Sequence, residues 1–455
     1  MRQLLVGIDV GTTYCKALVL DSEGEELGEA RDRTPWTPVP TGAELDPHAI
    51  AGTALAVASR ALAESPAGVV AAVGIAGMAE TGVLLDRRGE PVGPAIAWHD
   101  VRGTDEAQAV GTEVGRRRFS AETGLPASPL CSLSKIRWQR YHAPGAAAAV
   151  RWLGVPEWVA RSLGAADVAE LSLASRTGLL SLRDRGWWPD ALAWLGVPEG
   201  FLAEPVSAGT PGGRVGDALP EARGAVITVA GHDHVTAMVG AGATAEGDVL
   251  HSSGTADVFV RSIREPLDAE QIVDAVANGV TVGCHVIPER WALLSGNELN
   301  VALASVLQML GVDGQAERDA LDAAAAQLGP AERSLRLEGV GDAAPMSLHG
   351  IVPGTSRAHV WRAALEAGAD LSATTLARSD AVAGPPTRIV ATGGGVRGAA
   401  ARAVKEERLG PIEWSPVQEA TARGAAVLAG IAAGLHASVD DPPATAAGTS
   451  GCAFR

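Results

Sequence analysis

Two stretches in opposite halves of this chain carry one pattern, and that repetition limits the fold more than any other feature. GIDVGTTYCKALVLD (7–21) and GDVLHSSGTADVFVRS (247–262) each read as strand, Gly-Thr turn, strand, with Gly11-Thr12 and Gly254-Thr255 as equivalent turns. A repeat on the scale of half the chain implies two similar domains facing one cleft. The 455 residues allow this, since a domain takes roughly 100–200 residues. The first hairpin places Asp9, Gly11, Thr12 and Thr13 at its tip, where glycine and small side chains let backbone N–H groups face outward. Such a tip suits a phosphate, and a turn on each wall would grip a nucleotide from both sides. A plain hairpin turn would use the same residues.

Between the repeats lies VAGHDHVTAMVGAG (229–242). An apolar strand over 225–230 ends at Gly231, and Asp233 follows between His232 and His234, ahead of a small-residue helix. A carboxylate at a strand end is held by rigid elements yet reachable from a cleft, as a catalytic base must be. The competing reading is a helix N-cap. Two further strand ends carry polar groups: Met78-Ala79-Glu80 after the strand at 69–75, and Trp98-His99-Asp100 with Arg102 in PAIAWHDVRG (94–103). Acids beside an arginine accept from and donate to several hydroxyls at once, which a polyhydroxylated ligand requires; a surface Asp–Arg pair is the bland alternative. Late in the chain, TRIVATGGGVRGAA (387–400) reads as a buried strand opening into a glycine loop that lets a flat ligand lie on the backbone, and the Gly424 helix is expected to pack beneath it. The tryptophans at 152 and 158 read as core, and LSLASRTGLLSLRDRGWWPD (171–190) as a hairpin-like excursion followed by a helix.

Composition excludes several classes. A formal net charge of −16 argues against nucleic acid or an anionic membrane as partner. Cys15, Cys131, Cys284 and Cys452 form no C-x-x-C pair, so neither a disulfide framework nor a zinc site is expected. No leader-like run opens the chain, and the longest uncharged stretch near its end, 424–439, is too short for a span, so a cytoplasmic protein is expected. Walker A, kinase-type HRD and H-E-x-x-H motifs are absent.

Taken in order and at their spacing, GIDVGTTYCKALVLD, the Glu80 and WHD strand ends, GHDH, SSGT and ATGGGVRG resemble the FGGY family of carbohydrate kinases over most of the chain. The resemblance implies an α/β fold of two ribonuclease-H-like (actin-type ATPase) domains facing a central cleft, divided here as 1–240 and 241–455. It implies transfer of the ATP γ-phosphoryl group to a sugar or polyol hydroxyl, with ATP and Mg²⁺ as cofactors. By the same resemblance Asp233 is the base, and Asp9 with Asp233 serves the metal. Gly11, Thr12, Thr13, Lys16, Gly254 and Thr255 line the phosphates, while Gly394, Gly395 and Arg397 border the adenosine. Met78, Glu80, Trp98, Asp100, Asp233 and His234 face the acceptor.

The acceptor side departs from the family's patterns. Pentulose kinases carry Gln-Met-His where this chain has Met78-Ala79-Glu80. Glu80 falls where glycerol kinases have the Glu of an Arg-Glu pair, but the Arg is Ala79 and their aromatic corresponds to Leu130. The Met-x-Glu arrangement also looks like autoinducer-2 kinases. The family's Pro-Tyr-x-x-Gly-Glu-Arg segment is missing near residues 335–345, and the helix after the glycine loop lacks its usual Trp and Gln. The expectation is therefore a kinase for a small linear ketose, pentitol, tetritol or autoinducer-2-like compound, with no nucleic-acid or membrane partner and a homodimer as the compatible assembly. Glycerol kinase is the alternative enzyme, and a non-catalytic actin-type ATPase switch the alternative of another class.

Overall fold

The computed structural model describes residues 2–198, 200–253, 257–264, 266–330, 335–341, 345–393 and 398–441. Two six-stranded sheets organise it. In the first, Gln3–Val10 pairs antiparallel with Tyr14–Asp21, which pairs antiparallel with Glu26–Arg33; on its other side Gln3–Val10 pairs parallel with Val69–Gly77, and that strand with Val226–His232. The second sheet repeats this scheme. Asp248–Ser253 pairs antiparallel with Asp257–Ile263, which pairs antiparallel with Trp291–Asn297, and the parallel side is Arg388–Thr392 and then Glu413–Trp414. The repeat seen in two short turns thus extends to whole sheets, in an α/β fold of the actin type.

Burial explains the strand composition. Gln3–Val10 is buried from Leu4 onward, as a strand covered on both faces requires, whereas Glu26–Arg33 (ELGEARDR) is largely exposed. Charge on that outer strand keeps it from pairing with another chain. Over the hairpin lies the helix Pro47–Glu64, whose cap Asp46 accepts from His48 N at 2.8 Å and Ala49 N at 3.2 Å and which buries Ile50, Ala54, Val57 and Ala61.

Between the sheets stand two helices, Asp233–Ala241 and Ala420–Ala432, in one core with Leu5 and Ala72 of the first sheet and Leu250, Leu294 and Val390 of the second. Their backbones approach so closely that a Cβ on Gly240 would lie 1.8 Å from Ala420 O, and one on Gly424 2.1 Å from Thr236 O. On its other side the late helix lies on the first sheet, where a Cβ on Gly7 would meet Ala422 O at 1.8 Å. The glycine-rich loop beneath which the Gly424 helix is expected to pack lies, at residues 394–397, outside the described residues. The small face of this helix excludes bulky partners and selects the equally small face of the helix at 233–241.

The excursion after residue 170 also begins differently from expectation. Leu171–Ala174 is a helical turn because the Glu170 carboxylate accepts from Ser172 N and Leu173 N; the short hairpin Leu180–Ser181 with Gly186–Trp187 and the helix Pro189–Leu195 follow. Trp152 and Trp158 are buried, in line with the sequence reading. Among the described residues no helix is long and apolar enough to cross a membrane, and Cys15, Cys131 and Cys284 are buried free thiols. Cys452 lies outside the described residues.

Candidate active site

The first turn is built by tying its carbonyls back into the protein. Gly11 O accepts from Thr34 Oγ1 at 2.6 Å, Thr12 O from Trp36 Nε1 at 2.6 Å, and Thr13 O from Thr34 N at 3.1 Å. In a trans peptide the N–H points opposite to the carbonyl, so the N–H groups of Thr12 and Thr13 face away from the protein. The turn is thereby set to receive an anion. Trp98 reaches the same turn, its indole N–H donating to Thr12 Oγ1 at 3.0 Å.

Charged groups gather beside it. Asp9, near the end of its strand, is buried with Oδ1 unpartnered. Burial, opposed by Lys16 and reinforced by Asp233 and Glu419, pushes its carboxyl up to about 8. Lys16 Nζ binds Glu419 Oε2 at 2.5 Å, at the start of the Ala420–Ala432 helix. Burial works against that ammonium, but Asp9 and Glu419 outweigh it and raise Lys16.

Asp233 is the first residue of its helix, and the capping residue is His232. Its Oδ1 accepts from His234 N, the second amide of the helix, at 2.6 Å and lies 3.2 Å from His232 Nε2, while Oδ2 makes no hydrogen bond among the described residues. One fifth of the side chain is exposed. Burial pushes His232 down to about 3, leaving a neutral ring. Gly231 precedes it at φ +110°, where a Cβ would stand 2.5 Å from Ser172 Oγ. That hydroxyl accepts the His232 backbone N–H at 2.9 Å. His234 is half-buried, its ring edge-on to His232 at 5.6 Å.

On the acceptor wall, Met78 is buried and its N–H donates to Val10 O at 3.0 Å, which joins this wall to the strand of Asp9. Glu80 has φ +62°, uncommon for a residue with a side chain. Its carbonyl accepts from Ser132 Oγ at 3.0 Å and its carboxylate from Arg176 Nε at 2.8 Å. Asp100 departs from its expected place facing the acceptor. Its buried carboxylate accepts from Arg102 N, Nε and Nη2 and from Thr41 Oγ1, at 2.8–3.1 Å. Burial alone would raise it, but the Arg102 bonds outweigh that and hold it low. Asp100 thus anchors the loop that carries Trp98 and has no side-chain surface left for a hydroxyl. A narrow, mostly apolar cavity behind Glu80, lined also by Met78, Trp152 and Leu173, does not include Asp233.

Sequence reasoning missed four contributors. Arg176 pairs with Glu80 from 96 positions away; Glu419 reaches Lys16, and Trp36 holds the turn. Lys135, a buried lysine pushed down to about 8 by burial, donates to the carbonyls of Trp98 at 2.9 Å and of Pro129. Lys135 left a signal, being one of three lysines in the chain; the others pair across distances no local pattern encodes. Gly254, Thr255, Gly394, Gly395 and Arg397 lie outside the described residues. Just past the second turn, Asp257 is buried with His251 Nε2 at 2.7 Å, Lys405 Nζ at 3.1 Å and Ser372 Oγ at 2.7 Å. Burial opposes its ionisation, but His251 and Lys405 outweigh it and hold the carboxyl well below the usual range.

Comparison with known proteins gives the family and the fold. Residues 4–240 match the N-terminal domain of the FGGY family of carbohydrate kinases. A glycerol kinase from Bordetella parapertussis is 30% identical, the alignment covering 97% of this chain and 91% of that protein. The structure of a xylulose kinase from Rhodospirillum rubrum superimposes with a TM-score of 0.83 at 25% identity, over 96% of this chain and 92% of that one. Plasmodium falciparum glycerol kinase with ADP gives a TM-score of 0.84 at 19% identity, over 96% and 91%.

Proposed function

Because the chain belongs to the FGGY family of carbohydrate kinases, and is thereby an ATP-dependent phosphotransferase with an alcohol group as acceptor, we propose that it phosphorylates a hydroxyl of a small linear sugar or polyol with Asp233 as the base. The observation that carries this reading is Asp233 itself: a partly exposed carboxylate at the start of a helix wedged between the two sheets, with Oδ1 held by the His234 amide and Oδ2 free of hydrogen bonds among the described residues. Family membership also sets aside the non-catalytic switch. The chain divides in this reading at residue 240, the first part holding the acceptor and the second the nucleotide base.

Phosphoryl transfer through a loose transition state asks for positioning and charge neutralisation more than covalent chemistry. The outward N–H groups of Thr12 and Thr13, with Gly11 leaving room beside them, orient the phosphates, and Lys16 exchanges its bond to Glu419 for one to a phosphate oxygen. The second turn, Gly254-Thr255, grips the phosphates from the other wall, while Gly394, Gly395 and Arg397 border the adenosine. Glu80 accepts from acceptor hydroxyls, the Trp98 ring and Met78 pack on the carbon chain, and His234 donates. Asp233 takes the proton from the attacking hydroxyl oxygen; in a loose transition state proton loss comes late, so an ordinary carboxylate suffices.

The residues present fit Mg²⁺. Asp9 offers a buried, unpartnered oxygen whose ionisation burial disfavours, a condition that a cation relieves, and Asp233 is the nearby second acid. Asp9 and Asp233 would hold the ion with much of its water retained, as Mg²⁺ commonly is where one or two carboxylates reach it. When bound, it would neutralise charge on the transferring group.

Glycerol as acceptor is the second reading, favoured by the similarity to glycerol kinases. Against it stand Ala79 and the exposed Leu130. An ADP-release screen across glycerol, tetritols, pentitols, ketopentoses and dihydroxy-pentanedione decides between them. A linear sugar or polyol longer than glycerol should give the highest kcat/KM, about 10⁴ M⁻¹ s⁻¹ or more. ADP release indifferent to every acceptor would overturn the assignment.

A further inference from the structure

The segment 170–177, ELSLASRT, touches three parts of the molecule at once. Ser172 Oγ accepts the His232 N–H at 2.9 Å, pinning the strand end before Asp233. Ser175 Oγ accepts the Cys284 N–H at 3.1 Å. Arg176 donates from Nε to Glu80 Oε1 and from Nη1 to Thr281 Oγ1, both at 2.8 Å. Thr281 and Cys284 bound an edge strand of the second sheet, so one short segment holds the acceptor acid, the strand of the base and the opposite wall.

We propose that Arg176 is a positioning residue of the acceptor site: it supplies, from outside the local motif, the guanidinium that Ala79 lacks, and ties the setting of Glu80 to the second sheet through Thr281. This rests on the reading of Glu80 as an acceptor contact. Three observations on the page converge on it. Glu80 holds a left-handed backbone conformation, which persists only where the surroundings over-determine it, and Ser132 Oγ on its carbonyl with Arg176 on its carboxylate do so. The Glu80 side chain is only 10% exposed and that of Arg176 14%, so solvent screens the pair weakly. Lys135, another cation close by, spends two of its three donors on the carbonyls of Trp98 and Pro129, and no bond joins it to Glu80. Arginine is required by geometry: its planar fork directs two donors at fixed angles, one to each wall, whereas an ammonium is a single point.

The test is steady-state kinetics of Arg176→Gln, Arg176→Lys and Thr281→Val, each with ATP and the best acceptor, beside thermal melts. Arg176→Gln should raise the acceptor KM about 10- to 100-fold, as loss of a charged hydrogen bond implies, with the ATP KM within about twofold. Arg176→Lys should stay nearer to Gln than to the parent, and Thr281→Val should raise the acceptor KM about 3- to 10-fold without lowering Tm. If Arg176→Gln does not fold, the other two variants decide. Full recovery by Lys, an acceptor KM unchanged in all variants, or equal rises in both KM values would overturn the proposal. A parent that phosphorylates no acceptor would overturn the kinase reading and this inference with it.

Discussion

Asp9, Glu157 and Glu170 are all acids enclosed by protein, yet they face different parts of the molecule. Asp9 lies among Lys16, Asp233 and Glu419 with an unpartnered oxygen. Glu157 and Glu170 lie behind the acceptor wall, where Glu157 accepts from Gly154 N at 2.6 Å and Glu170 N at 2.9 Å. Burial pushes Glu157 up to about 8 from the usual 4.5, with Glu170 adding repulsion against the lowering effect of those amides. The raised value means that folding disfavours the ionised form. The cost is absent below about pH 4.5 and complete above about pH 8, so this group's contribution falls as pH rises through that window. Glu157→Gln removes the titration. The Tm of the variant minus that of the parent should therefore grow between pH 5 and pH 8, by about 2 °C or more; a flat difference would contradict the assignment.

At the scale of elements, the helices Asp233–Ala241 and Ala420–Ala432 set where the base stands. Gly240→Ala places a methyl carbon on the Ala420 carbonyl, which is backbone and cannot rotate aside. The two helices must separate, at a cost of about 1–3 kcal/mol, or a Tm lower by several degrees, and kcat should fall with it because Asp233 begins the displaced helix. Melting and turnover within error of the parent would contradict this packing. The same pair shows what was legible in the sequence. The strand ends at Asp9, Glu80 and Asp233 and the first Gly-Thr turn could be read because each is a local event, an apolar run broken by glycine and a polar group. The late helix was legible as a helix but its partner was not, since glycine and alanine permit close approach without naming what approaches. The outer strand Glu26–Arg33 escaped notice for a related reason: both of its faces are charged, so it carries no apolar alternation. Asp100 was misplaced because Asp-x-Arg reads alike whether the acid faces a ligand or its own arginine, and only the bonds from Arg102 and Thr41 distinguish them.

Across the whole molecule, two sheets of one topology flank the helix pair, and the groups assigned to the nucleotide come from both halves of the chain. Closure over the bound substrates follows from that division, because water must be kept from the γ-phosphate. Small-angle scattering should show a smaller radius of gyration with a non-hydrolysable ATP analogue and acceptor together than with neither; an unchanged radius would contradict closure. The central claim concerns Asp233. With the acceptor chosen by the screen, Asp233→Asn keeps the shape and hydrogen-bonding capacity of the side chain while removing its basicity. The account predicts a kcat lower by about 10²–10⁴ with the ATP dissociation constant within about twofold of the parent. A kcat within a few-fold of the parent's would show that the base lies elsewhere.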